Sequence, residues 1–118
     1  MIALVDTSVW IEHFRHGKIG LTGRLTDGLV LMHPYVSGEL ACGNLKDRMT
    51  VLLALNTLPS ASRATDAEVM HLIEDRGLWG RGLGWIDAHL LASALLSNCQ
   101  FWTLDKRLER AARELGLN

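Results

Sequence analysis

Apolar residues run without a break from Ile2 to Val5, and a second such run spans Leu29 to Met32. Both are too short for helices, and neither alternates apolar with polar, so each suits a strand buried on both faces of a parallel sheet. Gln100 to Leu104 reads as a third strand. The stretches between them carry helical spacing instead. Val9, Trp10, His13 and Phe14 recur within Thr7 to His16, with Gly17 as a stop, and Leu21 and Leu25 follow with Gly28 behind them. Val36, Leu40 and Leu45 trace one helix after His33-Pro34, and Met49, Leu52, Leu53 and Leu55 trace another up to Pro59. Thr65 and Glu68 form a capping box ahead of Val69, Leu72 and Ile73. Gly77 to Gly84 holds four glycines with Trp79 and Arg81 among them, and reads as a loop. Ile86, Leu90, Leu91, Ala94 and Leu95 mark a strongly buried helix, and Leu108, Ala111, Ala112 and Leu115 a closing amphipathic one. Strands alternating with helices imply an α/β fold, a central parallel sheet with helices on both faces.

At 118 residues, 48% of them apolar and 21% charged, the chain is expected to form a single domain over 1–118 with a core that needs no staples. A net charge of −1 argues against a protein that coats nucleic acid, but leaves room for a local basic patch. No stretch approaches the roughly 20 apolar residues of a membrane span, since Leu90 to Leu96 is short and broken by Ser93. The first residues lack the basic start and cleavage pattern of a signal peptide. Cys42 and Cys99 lie far apart in apolar surroundings, without the spacing of a disulfide framework or zinc site, and are expected to be small buried hydrophobes. A cytoplasmic location fits these features.

The acids are the informative residues. Asp6 closes the first strand, Glu39 lies early in the helix after the second, Asp87 opens the most apolar helix and Asp105 follows the last strand. In an open parallel sheet the carboxyl ends of strands share one edge, where ligands bind, so these four carboxylates are brought towards one place. Each also has a simpler explanation. Asp6, Asp87 and Asp105 can cap helices, and Glu39 can be a solvated helix residue. Two carboxylates about 4 Å apart repel by roughly 4 kcal/mol at an effective dielectric near 20, so a shared cluster calls for protonation or a cation. Mg²⁺ or Mn²⁺, with their preference for oxygen ligands, supply that compensation.

Ser8 and Thr7 beside Asp6, and Thr103 before Asp105, can orient ligands or water around such an ion, or can serve as ordinary turn and strand residues. His13 and His16 share a helix face without a third ligand, and His33, His71 and His89 are isolated. No P-loop or nucleophile elbow is present.

Together the segments Val5-Asp6-Thr7-Ser8-Val9-Trp10-Ile11, Gly38-Glu39-Leu40, Trp85-Ile86-Asp87-Ala88-His89-Leu90-Leu91-Ala92 and Thr103-Leu104-Asp105-Lys106-Arg107-Leu108 resemble PIN-domain ribonucleases. Within that family the chain is similar to VapC toxins of bacterial type II toxin–antitoxin systems. The resemblance spans nearly the whole chain. It implies a PIN-like three-layer α/β/α sandwich, an endoribonuclease that depends on Mg²⁺ or Mn²⁺, homodimers, and a cognate antitoxin that wraps the toxin and places a side chain in the acidic pocket. It further implies that Asp6, Glu39, Asp87 and Asp105 are the acidic catalytic set, with Asp6 and Asp87 as metal ligands. Glu39 and Asp105 would bind a second ion or position water, and Ser8 and Thr103 would tune them. The substrates of the family are structured RNAs, tRNA and rRNA among them.

Metal-activated water needs no attack by a 2′-hydroxyl, so the expected products carry 5′-phosphate and 3′-hydroxyl ends. Arg76, Arg81, Lys106, Arg107 and Arg110 are candidate phosphate contacts, and Trp79 and Trp85 candidate stacking surfaces that could equally pack a core or a dimer face. Two other classes share parts of the pattern. A signalling receiver module would carry paired acids after its first strand and a Lys after its last, whereas Asp6 stands alone and Lys106 follows Asp105. A catalytically silent PIN-like binding module would tolerate loss of acids, none of which is missing here. A phosphatase with an Asp-x-Asp nucleophile is excluded by Asp6-Thr7-Ser8.

Overall fold

The structure, a computed structural model, describes residues 1–118. It consists of β1 (Ala3–Val5), α1 (Thr7–His16), α2 (Leu21–Thr26), β2 (Val30–Leu31), α3 (Pro34–Cys42), α4 (Arg48–Leu55), α5 (Asp66–Arg76), α6 (Trp85–Leu96), β3 (Gln100–Trp102) and α7 (Lys106–Glu114). The sheet is parallel with strand order β2-β1-β3. Ala3 pairs with Val30 on one side and Gln100 on the other, and Leu4 with Leu31 and Phe101. All three residues of β1 are 0% exposed, as an unbroken apolar run in a central strand requires.

The chain leaves β1 for one neighbour and crosses back over the sheet to reach the other. Right-handed crossovers in opposite directions put their helices on opposite faces. Helix α1 packs against α2 and α3, with α4 against α3, while α6 packs on β1 and β3 and carries α5 on its outer side. This is the α/β sandwich expected from the alternation. The reversal of direction also makes the carboxyl ends of β1 and β3 the switch point where such folds bind ligands.

Local signals explain the boundaries. The capping box at α5 is formed as expected: Thr65 accepts from the Glu68 N–H at 3.1 Å and Glu68 accepts from the Thr65 N–H at 2.8 Å. Gly77, at φ +62°, ends that helix in the left-handed conformation that side chains disfavour. Helix α6 is buried from Ala88 to Ala94 without interruption, so its polar residues need partners inside the protein. His89 bonds Asp66 at 3.1 Å and Ser93 bonds His33 at 3.1 Å.

Three sequence expectations are revised. Helix α3 stops at Cys42 and does not reach Leu45, because Gly43 turns extended there. Strand β3 ends at Trp102 and not at Leu104, since Asp105 already begins the cap of α7. Cys42 is exposed at the end of its helix and not buried, whereas Cys99 is buried as expected. No helix is long and apolar enough to cross a membrane.

Candidate active site

Asp6 occupies the end of the central strand. Its N–H donates to Trp102 O at 2.8 Å, the last rung between β1 and β3, and its carbonyl accepts from Val9 and Trp10 as α1 begins. Although it stands at the N-cap, its side chain makes no cap hydrogen bond. The carboxylate turns instead towards β3. Thr103 Oγ1 donates to Asp6 Oδ2 at 2.7 Å and Ser8 Oγ to the same atom at 2.8 Å. Both hydroxyls are oriented by backbone donors from the loop after β3: Asp105 N–H to Thr103 Oγ1 at 3.1 Å and Leu104 N–H to Ser8 Oγ at 3.0 Å. With both protons committed to Oδ2, Oδ1 of Asp6 is left for another ligand. The residue is only 7% exposed, so this satisfaction matters.

The other acids are attached to this centre by different means. Asp105 does cap α7, accepting the N–H groups of Arg107 at 2.9 Å and Leu108 at 3.1 Å through Oδ1. Capping and site membership are therefore compatible at Asp105, because Oδ2 takes no part in the cap. Asp87, in the first turn of α6, accepts the Gly84 N–H at 2.9 Å through Oδ2. Burial holds its carboxyl above the usual range, the Gly84 bond works against that, and the negative charges of Asp6 and Asp105 raise it further. Three acids far apart in the chain thus feel one another at one sheet edge. Glu39 is exposed on α3 and accepts from Thr7 Oγ1 at 2.7 Å, which ties it to the first turn of α1 beside Asp6.

A hard divalent cation suits this oxygen-only donor set and the mutual repulsion around Asp87. No three His, Cys, Asp or Glu residues converge into a ready metal cage.

The basic and aromatic candidates separate into two groups. Arg81 is paired with Glu114 and Arg76 with Asp75, whereas Lys106 and Arg107 are exposed and have no ion-pair partner. Trp79 is 65% exposed and Trp85 43% exposed, so neither is core. His16 pairs with Glu12 and not with His13. The role of Thr7 and the buried His33–Ser93 and His89–Asp66 pairs have no local sequence signal beyond Ser93 interrupting an apolar helix.

A parallel α/β sandwich with a buried aspartate closing its central strand at the switch point points to the class. The chain belongs to the PIN domain family, whose model matches residues 3–114. It is 48% identical over 115 residues to Ribonuclease VapC32 of Mycobacterium tuberculosis, in strains CDC 1551 / Oshkosh and H37Rv alike, covering 97% of this chain and 93% of that protein. The resemblance drawn from the acidic motifs, to VapC-type PIN ribonucleases, is borne out.

Proposed function

We propose that the chain is a single PIN domain acting as an endoribonuclease toxin that hydrolyses structured RNA, of the tRNA or rRNA class, with Mg²⁺ or Mn²⁺. The observation that carries this reading is the orientation of Asp6. It is a buried carboxylate at the end of the central strand, denied its capping role, with two hydroxyl protons on one oxygen and like charges from Asp87 and Asp105 near it. A structural aspartate would be stabilised by capping α1.

Asp6 and Asp87 would hold the ion, while Glu39 and Asp105 would hold a second one or position water. A bound divalent cation supplies activated water and neutralises charge on the scissile phosphate. Ser8 and Thr103 fix the rotamer of Asp6 through Oδ2 and leave Oδ1 without a hydrogen-bond donor. Gly84 fixes that of Asp87. Lys106 and Arg107 flank Asp105 and attract the RNA backbone to a protein with little net charge.

Partners follow from the same reading: a cognate antitoxin and a second copy of the chain. The surface supports both. An apolar groove of about 240 Å³, lined by Ile11, Phe14, Leu40 and Leu45, ends at Glu39 and offers an antitoxin helix a seat beside the acids. A larger groove of about 440 Å³ between α5 and α6, lined by Leu72, Ala92, Leu95 and Leu96, offers an apolar face for dimerisation.

The test compares wild type with Asp6→Asn on a mixed RNA pool, with Mg²⁺, with Mn²⁺ and with chelator. Cleavage leaving 5′-phosphate ends, lost in the variant and in chelator, is the expected result. Activity that survives either treatment, or 2′,3′-cyclic phosphate ends, overturns it.

A further inference from the structure

We propose that Arg107, lying against the backbone of Gly82, is a phosphate-positioning residue for the RNA substrate. The inference rests on the ribonuclease reading above and adds to it a specific cation, its position and its dependence on the glycine loop.

The geometry begins at Gly82, which has φ +78° and lies in the exposed loop between α5 and α6. A Cβ placed there would meet Nη1 of Arg107 at 2.6 Å, Cδ at 2.9 Å and Cζ at 3.2 Å. No other glycine in the chain has a charged side chain lying against the face where its Cβ would stand this closely. The guanidinium therefore lies against the loop backbone where a Cβ would displace it, while the φ of +78° by itself favours glycine at this position.

Both ends of this contact are tied to the acids. Two residues beyond Gly82, the Gly84 N–H donates to Asp87. At the other end, the Arg107 N–H donates to Asp105. The side chain nonetheless takes no part in the ion pairs of the protein, and its guanidinium has no hydrogen-bond partner among the side-chain bonds of α7. By contrast, Arg81 on the same loop is neutralised by Glu114, and Arg113 on the same helix by Glu109.

An exposed arginine left unneutralised keeps its fork of donors for an anion. The anion beside Asp87 and Asp105 in a nuclease is the RNA backbone, at a phosphate next to the scissile one.

The experiment uses wild type, Arg107→Gln, Arg107→Lys, Gly82→Ala and the Gly82→Ala/Arg107→Gln double variant. Cleavage kinetics are read on a tRNA fraction, and binding of a labelled single-stranded RNA is read across salt concentrations in the Asp6→Asn background. Removing one charge-assisted contact should raise KM roughly tenfold with the loss falling on KM and not on kcat. The slope of log K against log salt should fall by about 0.7, one phosphate contact, a change that a purely structural role would not produce. Arg107→Lys should restore the slope but not the whole of the affinity, since a point charge lacks the fork. Gly82→Ala should cost affinity in wild type and add nothing in the Arg107→Gln background. Wild-type KM and slope in Arg107→Gln, or an equal Gly82→Ala penalty in both backgrounds, overturns the proposal while leaving the ribonuclease reading intact. Salt-dependent RNA binding with no cleavage by wild type would instead overturn the ribonuclease reading, and the proposal with it.

Discussion

His33 makes the stability of the protein depend on pH in a way that can be worked out. The imidazole is 0% exposed, caps α3 by accepting the Tyr35 N–H on Nδ1 at 3.0 Å, and meets Ser93 Oγ through Nε2 at 3.1 Å. Protonation would turn Nδ1 into a donor facing a donor. Burial, then Arg63, then His89 lower its pKa from 6.5 to about 4. The unfolded chain takes up this proton below about pH 6.5, the native protein only near pH 4. Between those values the unfolded state binds more protons, so stability falls as pH falls, by about 1.4 kcal/mol per pH unit at most and about 3 kcal/mol in total. That is a large share of the roughly 5–15 kcal/mol that holds a domain together. The assay is urea unfolding of wild type and His33→Gln at about pH 7 and about pH 4.5. Carboxylates titrate alike in both proteins, so the difference between them isolates the imidazole. Wild type should lose about 2–3 kcal/mol more than the variant over this interval. Parallel losses would refute the assignment of a neutral, buried His33.

Other expectations concern the site and its scaffold. Thr103→Val removes a proton from Asp6 and an acceptor from the Asp105 N–H. RNA cleavage should fall roughly 10–100-fold and Thr103→Ser should recover most of it; unchanged turnover would show that Ser8 suffices. For Asp87, a raised carboxyl pKa means the folded state favours the protonated form, so stability falls as pH rises through that range and the ionised group costs stability at neutral pH. Metal-free Asp87→Asn should therefore melt higher than wild type near pH 7, and Mg²⁺ should no longer raise its melting temperature. A lower melting temperature would mean that the Gly84 bond outweighs burial and repulsion. Thr65→Ala removes the cap of α5 and should cost about 1 kcal/mol in urea unfolding; no change would show that Glu68 alone holds that end.

How much of this was legible beforehand depended on where each interaction's partner lay. The central strand was visible because a run buried on both sides needs no partner to be recognised, and Thr65 with Glu68 because both members lie within one turn. The acids were visible as a set because strand ends share an edge. What each acid does was not: capping was equally available to Asp6 and Asp105, and it is Ser8 together with Thr103, from across the sheet, that turns Asp6 away from it. Cys42 looked buried because its neighbours Leu40 and Ala41 are apolar, yet it lies at a helix end that the core does not reach. Trp79 and Trp85 are kept at the surface by a loop whose path no periodicity encodes. His33 and Ser93 are 60 residues apart, and Arg107 finds Gly82 only once α7 is laid against that loop.

The bond from Thr103 to Asp6 spans 97 positions of the chain. The two neighbours of the first strand lie at very different distances along the chain, β2 beginning at Val30 and β3 at Gln100. Without β3, Asp6 keeps only the Ser8 hydroxyl, Asp105 is not brought beside it, and this edge of the sheet has only one side. Pairing of β1 with β3 and orientation of Asp6 are therefore one event, and whatever loosens β3 from the sheet loosens that carboxylate with it.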